Sequence, residues 1–363
     1  MGRGCITYSI AYLLGIICGS VYSTFTIAPL ILTPILLAFA ASTRKNALLF
    51  LIFSHLAIFC SGAGSYIYAK GAGNLLPDKL SSSIAQRISH IQTKTTDYLE
   101  KFTTTNDAHS TLCALTVGRK EFMDKELKQS YSRSGAMHIL ALSGLHIGII
   151  YSILGHLCTP LSFLGKGKII KDLTALVLIF IYTVITGCSP SSVRATTMII
   201  IYRFGIQYFR DISKWDALAV SAIVIGAIAP WQVTSIGFQL SYAAVIGIGA
   251  FYPVCRNAFS VVTGIPLTTG RPIQRIGLKI WENISISICC QIGTLPLLLF
   301  YFGTGSPYFL ITNLIAVPLA TVILHIFSIA FILQWVPFIN DILASCLNFM
   351  IEMLNSSILF IST

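Results

Sequence analysis

Residues 135–148, which read GAMHILALSGLHIG, carry polar side chains within an otherwise apolar sequence. His138, Ser143 and His146 can each donate or accept a hydrogen bond, and such groups are costly inside a membrane unless they face a cavity or a partner helix. Ser143 and His146 are three residues apart, a spacing that places them on one face of a helix. The segment is therefore predicted to be either a discontinuous helix lining a water-filled path or a packed helix with interhelical hydrogen bonds.

A catalytic use of the same residues is a third possibility, with Ser143 as nucleophile and His146 or His138 as base. A serine and a histidine three residues apart occur often by chance, so no enzymatic activity is predicted. The histidines form no clustered metal motif, and the ten cysteines include no C-x-x-C pair. Neither a metal site nor a cofactor is predicted.

Arg194 is a cation that follows 21 consecutive uncharged residues. An arginine in such a position either faces the interior of a helical bundle or snorkels to the membrane surface. In the interior, its guanidinium would suit a phosphate group. Three amides in other apolar segments also need hydrogen-bond partners if they are buried: Gln239, Gln291 and Asn313.

Helix-breaking residues lie close to these polar groups, and we predict breaks at Gly135, Gly144, Pro296 and Pro318. Paired broken helices are typical of a transport path through a membrane, whereas ordinary kinked packing is the alternative. The predicted lining of such a path is His138, Ser143, His146, Arg194, Gln239, Gln291 and Asn313.

The elements that must position these residues are membrane-spanning helices. Only 10% of the residues are charged, against about 25% in soluble domains. Residues 283–340 form a run of 58 without Asp, Glu, Lys or Arg, and a spanning helix needs about 20 apolar residues. The sequence predicts an all-α, polytopic transmembrane helical bundle of about 10–11 spans with some broken helices. The predicted spans are 5–22, 26–41, 47–68, 136–158, 169–187, 190–209, 215–230, 234–253, 281–302, 308–333 and 341–361.

Basic residues alternate along the chain in a way that predicts its orientation. The connections near 44–45, 166–171, 203–214 and 256–279 are basic, whereas those near 23–25, 188–190, 231–233 and 303–307 contain no Lys or Arg. Basic loops face the cytoplasm, so the N-terminus of this multi-pass protein is predicted to be cytoplasmic.

The chain is predicted to divide into N-terminal transmembrane helices (1–69), an extracytoplasmic segment (70–134) and a second transmembrane domain (135–363). Residues 71–133 carry nine basic and seven acidic residues. Apolar residues in this segment recur at helical spacing, which predicts an amphipathic helix that lies on the outer interface or packs on the spans. They are Leu80, Ile84, Ile88, Ile91, Tyr98 and Phe102.

Four segments of the chain resemble the membrane-embedded competence domain of the ComEC family. They occur in the family's order and are His138-Ile-Leu-Ala-Leu-Ser-Gly-Leu-His146, Thr186-Gly through Ser192-Val-Arg-Ala195, Gly237-Phe-Gln-Leu-Ser241, and Thr294-Leu-Pro-Leu297 with Asn313 and Pro318. The resemblance implies a competence-type channel domain over 135–363 that passes single-stranded DNA into the cytoplasm during natural transformation. A transporter of another anion or metabolite on the same scaffold is the alternative.

The chain departs from the larger members of that family in two respects. Residues 71–107 are too few for their oligonucleotide-binding-like domain, and no metal-dependent hydrolase motif follows the last apolar run. The partners implied are single-stranded DNA and the lipid bilayer, with a separate nuclease, a periplasmic DNA receptor and a cytoplasmic motor supplied by other proteins. The oligomeric state is left open.

Overall fold

The structure, a computed structural model, describes residues 2–21, 28–42, 47–71, 78–163, 167–209, 213–263, 272–302 and 308–362. Within these ranges the chain is helical and contains no β-strand. This confirms the predicted all-α fold class. Several of the basic loop residues used to predict orientation, among them Arg44, Lys45 and Lys166, lie outside the described residues.

Most helices that correspond to predicted spans begin and end within a few residues of them, but the helix predicted at 234–253 continues to Thr263 and the one predicted at 281–302 begins at Pro272. In chain order they are α1 (Gly2–Val21), α2 (Ala28–Ser42), α3 (Ala47–Gly71), α4 (Asp78–Leu99), α5 (Asn106–Thr116), α6 (Lys125–Arg133), α7 (Met137–Leu140), α8 (Gly144–Leu157), α9 (Gly167–Ile185), α10 (Pro190–Phe209), α11 (Lys214–Ile228), α12 (Ile236–Thr263), α13 (Pro272–Phe302), α14 (Phe309–Leu333) and α15 (Pro337–Ser362). Short 3₁₀ helices occupy Glu100–Phe102, Thr159–Phe163 and Pro230–Gln232.

Five of these helices are long and apolar enough to cross a membrane, within the residues described: α3, α12, α13, α14 and α15. The apolar parts of α1, α2 and α8 are shorter. Many large apolar side chains on these helices are exposed, including Phe300 and Phe360 at 80% each. Exposed apolar surface on long helices is what a lipid environment stabilises, so the chain is a polytopic membrane protein.

The residues group into two compact units, and each is built from two separate stretches of chain. The first unit comprises Met1–Gln86 and Arg194–Gln239. In it, α1 crosses α3 at close range, since a Cβ added to Gly15 would lie 2.0 Å from the Phe59 carbonyl oxygen. Small residues permit this approach, which is a common way for membrane helices to associate without a hydrophobic driving force.

The second unit comprises Arg87–Val193 and Leu240–Thr363. Its core is formed by α5, α6 and α7 packed with α14 and α15, and Leu112, Leu140 and Ile323 are fully buried there. A second close approach joins α12 and α13, where a Cβ on Gly247 would lie 2.5 Å from the Cys289 carbonyl oxygen. The predicted domain boundaries after residues 69 and 134 rest on the sequence alone and not on these contacts, so they stay a prediction.

The charged segment that precedes residue 135 belongs to the second unit from Arg87 onward. The C-terminal end of the amphipathic helix α4 packs on a span, because the ring of Tyr98 contacts Phe331 at 6.0 Å between centroids. Phe102, in the following 3₁₀ turn, contacts Phe327 at 5.8 Å. The C-terminal end of the amphipathic helix therefore packs on the spans, which is one of its two predicted placements.

Two asparagines of α15 hold the same segment through buried hydrogen bonds. Asn348 accepts from the Thr104 backbone N–H at 2.9 Å, and one heptad later Asn355 accepts from the hydroxyls of Thr111 at 3.2 Å and Tyr131 at 2.8 Å. Burial raises the pKa of Tyr131, so its hydroxyl stays protonated and remains a donor. The repeated spacing shows that α5 and α15 run parallel.

Candidate functional site

The chain is interrupted twice between α6 and α8, which makes residues 134–146 a broken helix in the second unit. Gly135 has φ +80°, a left-handed conformation that glycine adopts without steric cost. It separates α6 from the four-residue helix α7. Ala141 is extended (φ −85°, ψ 130°), Ser143 is extended as well, and α8 begins at Gly144. The helix is therefore discontinuous in this segment, and the water-filled path that it was predicted to line stays a prediction.

Ser143 and His146 contact each other across the start of α8. The Ser143 Oγ and His146 Nδ1 atoms are 2.9 Å apart. Ser143 is the N-cap residue, yet its side chain makes no hydrogen bond to the helix backbone, because the imidazole occupies it instead. The two residues therefore pair as N-cap and third helical residue, rather than from successive turns of one long helix.

His146 is almost completely buried, with 1% of its surface exposed. Its second ring nitrogen, Nε2, has no hydrogen-bond partner among the described residues. A buried imidazole nitrogen without a partner costs free energy, whichever of the two nitrogens carries the proton. This nitrogen is therefore available to a water molecule or to a substrate.

His138 and Asn313 lie next to the same break. The Nδ1 atom of His138 is 2.9 Å from the Gly135 carbonyl oxygen, and its exposed ring lies 5.3 Å from that of Phe309 in α14. Asn313, one turn along α14, lies close to the His138 side chain. Asn313 is 6% exposed, and its Oδ1 has no partner within the described residues.

Backbone carbonyl groups near the break bind hydroxyl groups from neighbouring helices. Ser191 Oγ, in the first turn of α10, donates to the Leu142 carbonyl. Thr312 Oγ1 donates to the Ser134 carbonyl at 2.8 Å. These bonds satisfy acceptors that a continuous helix would have bonded internally, and they hold the break in one geometry.

A third hydroxyl, that of Tyr182 in α9, donates to the Thr116 carbonyl at 2.6 Å. Neither Tyr182 nor Thr312 is among the predicted site residues, and Ser191 falls only within one of the motif segments. A hydroxyl residue within an apolar helix can be recognised from the sequence. The carbonyl group to which it donates cannot, because that carbonyl is distant along the chain.

Arg194 and Gln239 belong to the first unit. Arg194 is 3% exposed, and its Nη2 donates to the Gly237 carbonyl oxygen at 2.9 Å. This placement favours an inward-facing guanidinium over one that snorkels to the surface. Gln239 Nε2 donates to the Thr234 carbonyl at 3.4 Å, a long bond at a half-buried side chain.

Gln291 is half-buried on α13 in the second unit, and its Oε1 is buried without a partner in the described part of the chain. The two predicted proline breaks are not interruptions, because α13 continues through Pro296 and α14 through Pro318. Each proline removes one internal hydrogen bond, and both helices are long enough to continue past that loss.

The second unit thus brings together four of the predicted lining residues around its helix break: His138, Ser143, His146 and Asn313. His138 and His146 are close enough for their charges to influence each other. The described residues contain no group of three or more His, Cys, Asp or Glu side chains arranged to hold a metal ion.

Comparison with known proteins identifies the family. The family model described as "Competence protein" matches residues 115–363. The chain is also 27% identical over 215 residues to ComE operon protein 3 of Bacillus subtilis (strain 168), a match that covers 59% of this chain and 25% of that relative. It thus spans about a quarter of the relative's length. No solved structure matches. Because the family match extends over well more than half of its residues, the chain belongs to the Competence protein family.

Proposed function

We propose that the chain is the membrane core of a DNA-uptake system and conducts single-stranded DNA across a bacterial inner membrane during natural transformation. The observation that carries this proposal is the pair of buried, unpartnered polar atoms at the helix break, His146 Nε2 and Asn313 Oδ1. In an apolar medium such atoms are costly. A path that admits water and a polar substrate removes that cost.

Single-stranded DNA suits this set of side chains. It is a flexible polyanion, and proteins that bind it without sequence preference use cations, hydrogen-bonding groups and aromatic rings. Next to the break, His138 and Asn313 provide hydrogen-bonding groups, and Phe309 provides an aromatic ring. Arg194, in the first unit, is proposed to attract backbone phosphates, for which a guanidinium is well suited.

The proposed orientation places the N-terminus in the cytoplasm. Among described residues, Lys168, Lys171 and Lys214 fall in connections that the alternation assigns to the inside. A nuclease, a periplasmic DNA receptor and a cytoplasmic motor are proposed to be separate proteins that act with this core.

Replacing His146 with Ala tests the function directly. Loss of a buried hydrogen-bonding group costs about 1–3 kcal/mol, which corresponds to about a fivefold to 150-fold change in a rate or equilibrium. We expect transformation frequency to fall by that order while the amount of protein in the membrane is unchanged. The control is Leu145→Ala, at a neighbouring side chain that is 46% exposed. Normal transformation of the His146 variant would contradict the proposal.

The same assay examines Arg194→Ala, for which we expect reduced DNA uptake with intact membrane insertion. Normal transformation in this variant would remove Arg194 from the mechanism. If DNA uptake is unaffected in both variants but accumulation of a small anion is lost, the transporter alternative replaces the channel.

A nucleophilic function is a second candidate, because Ser143 Oγ and His146 Nδ1 are 2.9 Å apart, within the hydrogen-bond reach that such a pair requires. In serine hydrolases a third group orients the base through its other nitrogen, whereas here Nε2 has no partner among the described residues. This difference favours a lining role. Labelling of Ser143 by a serine-directed covalent probe would favour the enzyme instead.

A further inference from the structure

The N-terminus of α8 is not capped by its own serine. Ser143 holds the N-cap position in an extended conformation (φ −102°, ψ 169°), but its side chain makes no hydrogen bond to the helix backbone. The first backbone bond of the helix runs from the Ile147 N–H to the Ser143 carbonyl at 3.2 Å. The N–H groups of residues 144–146 therefore have no hydrogen-bond partner within the part of the chain that the structure describes.

The imidazole of His146 lies at the same end of the helix. Helical side chains lean toward the N-terminus, and the 2.9 Å contact between His146 Nδ1 and Ser143 Oγ holds the ring there. Its Nε2 is buried without a partner among the described residues, on a residue that is 1% exposed. When the Ser143 hydroxyl donates to Nδ1, the proton of the neutral imidazole is on Nε2, which makes Nε2 a donor. A buried donor and a set of unpartnered N–H groups thus share one helix end.

Such a helix end is suited to an anion. Unpartnered N–H groups and the positive end of the helix dipole attract negative charge, and in membrane transporters the N-termini of broken helices face anionic groups of the substrate. The terminus is held in place because Ser191 of α10 donates to the Leu142 carbonyl. Its first turn is also accessible, since Gly144 and Leu145 are exposed and a Cβ on Gly148 would meet nothing within 4 Å.

We propose that the N-terminus of α8 binds one backbone phosphate of the single strand, through its unpartnered N–H groups and the N–H of His146 Nε2. This site rests on the proposed function and adds to it the part of the strand that the helix break contacts. Gly144 follows eight residues of the predicted span 136–158, so the site lies inside that span and away from lipid headgroups. DNA is therefore favoured over lipid as the source of the phosphate. Neutral donors hold a phosphate less strongly than an arginine does, which suits a strand that must move on.

Proline at position 144 tests the site, because it removes one of these N–H groups. Proline is favoured at the first position of a helix, and the extended Ser143 already has the conformation that a following proline requires. The matched comparison is Gly144→Ala, which adds a Cβ but keeps the N–H. The measurement is binding of a fluorescent thymidine 30-mer to the whole chain in phosphatidylcholine nanodiscs. We expect Gly144→Pro to bind about tenfold more weakly than Gly144→Ala, because a hydrogen bond to a charged group is lost.

Two further variants separate binding from folding. Asn106→Pro is the control, at the exposed first residue of α5, where the side chain of the extended N-cap residue Thr105 accepts from the Ala108 N–H. We expect it to bind as the wild type does. Ser143→Asp supplies a carboxylate that caps α8 and favours the helix, while it takes the donors from the phosphate. We expect this variant to lose at least as much affinity as Gly144→Pro.

Several results would overturn the inference: equal binding by the two variants at position 144, wild-type binding by Ser143→Asp, an equal loss in Asn106→Pro, or no binding by the wild-type chain. A thymidine 30-mer with uncharged methylphosphonate linkages should bind the two variants at position 144 equally, and a persisting difference would show that the contact is not to a phosphate. If phosphatidylglycerol in the nanodiscs abolishes the difference measured with DNA, the occupant is a lipid headgroup and the inference is wrong.

Failure of this inference is distinguishable from failure of the proposed function. If the two variants at position 144 bind equally while His146→Ala still lowers transformation, only the inference fails. If the His146 variant transforms normally, the proposed function fails.

Discussion

At the scale of single residues, the site depends on the hydrogen bond between the side chains of Ser143 and His146. Ser143 gives up the usual N-cap bond to the helix backbone in order to bind the imidazole. That pairing fixes the orientation of the ring and leaves Nε2, rather than Nδ1, without a partner. The chemistry offered to a substrate is therefore one buried imidazole nitrogen held in a fixed direction.

A double-mutant cycle measures this coupling. We expect Ser143→Ala and His146→Ala to interact by about 0.6 kcal/mol, and by no more than about 1.7 kcal/mol, the range found for hydrogen bonds between groups in membrane proteins. The measurement is the free energy of unfolding of the two single variants and the double variant in a bilayer. Strictly additive effects would show that the 2.9 Å contact contributes nothing to stability.

At the scale of elements, the broken helix is stabilised by hydroxyl groups on helices distant in sequence. A break within an apolar medium leaves carbonyl groups that only another part of the protein can bind. Ser191 of α10 and Thr312 of α14 bind two of them beside the break, and Tyr182 of α9 binds the last turn of α5. The break is therefore stabilised by tertiary packing and is more than a local loss of helix.

Tyr182→Phe isolates one of these hydroxyls without changing the shape of the side chain. Because the Thr116 carbonyl is left without this partner, we expect the free energy of unfolding to fall by about 1–3 kcal/mol. Tyr208→Phe serves as the control, since Tyr208 is 63% exposed and stacks on Phe204 through its ring. Equal stability of the two variants would show that the 2.6 Å bond of Tyr182 is not a stabilising one.

The sequence predicted the elements better than it predicted their contacts. Long apolar runs identify α12 to α15, and the glycines at 135 and 144 mark the two ends of the broken segment, because these features are local. Pro296 and Pro318 suggested interruptions, but a long helix tolerates one missing hydrogen bond. The bonds from Ser191 and Tyr182 could not be predicted, because their acceptors lie 49 and 66 residues away along the chain.

At the scale of the whole molecule, orientation decides which face DNA would meet first. Cys188 lies in the turn between α9 and α10, is exposed, and has φ 50°. The charge alternation assigns this turn to the outside and Lys214 to the inside. In a variant with the other nine cysteines replaced, we expect a membrane-impermeant maleimide to label Cys188 in intact cells.

The matched probe is Lys214→Cys in a background without native cysteines. Lys214 is exposed and lies in a connection that the charge alternation assigns to the inside. It should react only after the cells are opened. Labelling of this position in intact cells, with Cys188 protected, would invert the proposed orientation and place the extracytoplasmic segment inside.

The most direct test of the central claim is whether DNA passes the helix break during uptake. A photo-crosslinking amino acid at position 146 is combined with a strand whose bulky end arrests it part-way through entry, and position 145, at the exposed Leu145, serves as the control. We predict covalent adducts with the strand from position 146 and none from position 145. No adduct at position 146, or equal adducts at both, would contradict a DNA path through this site.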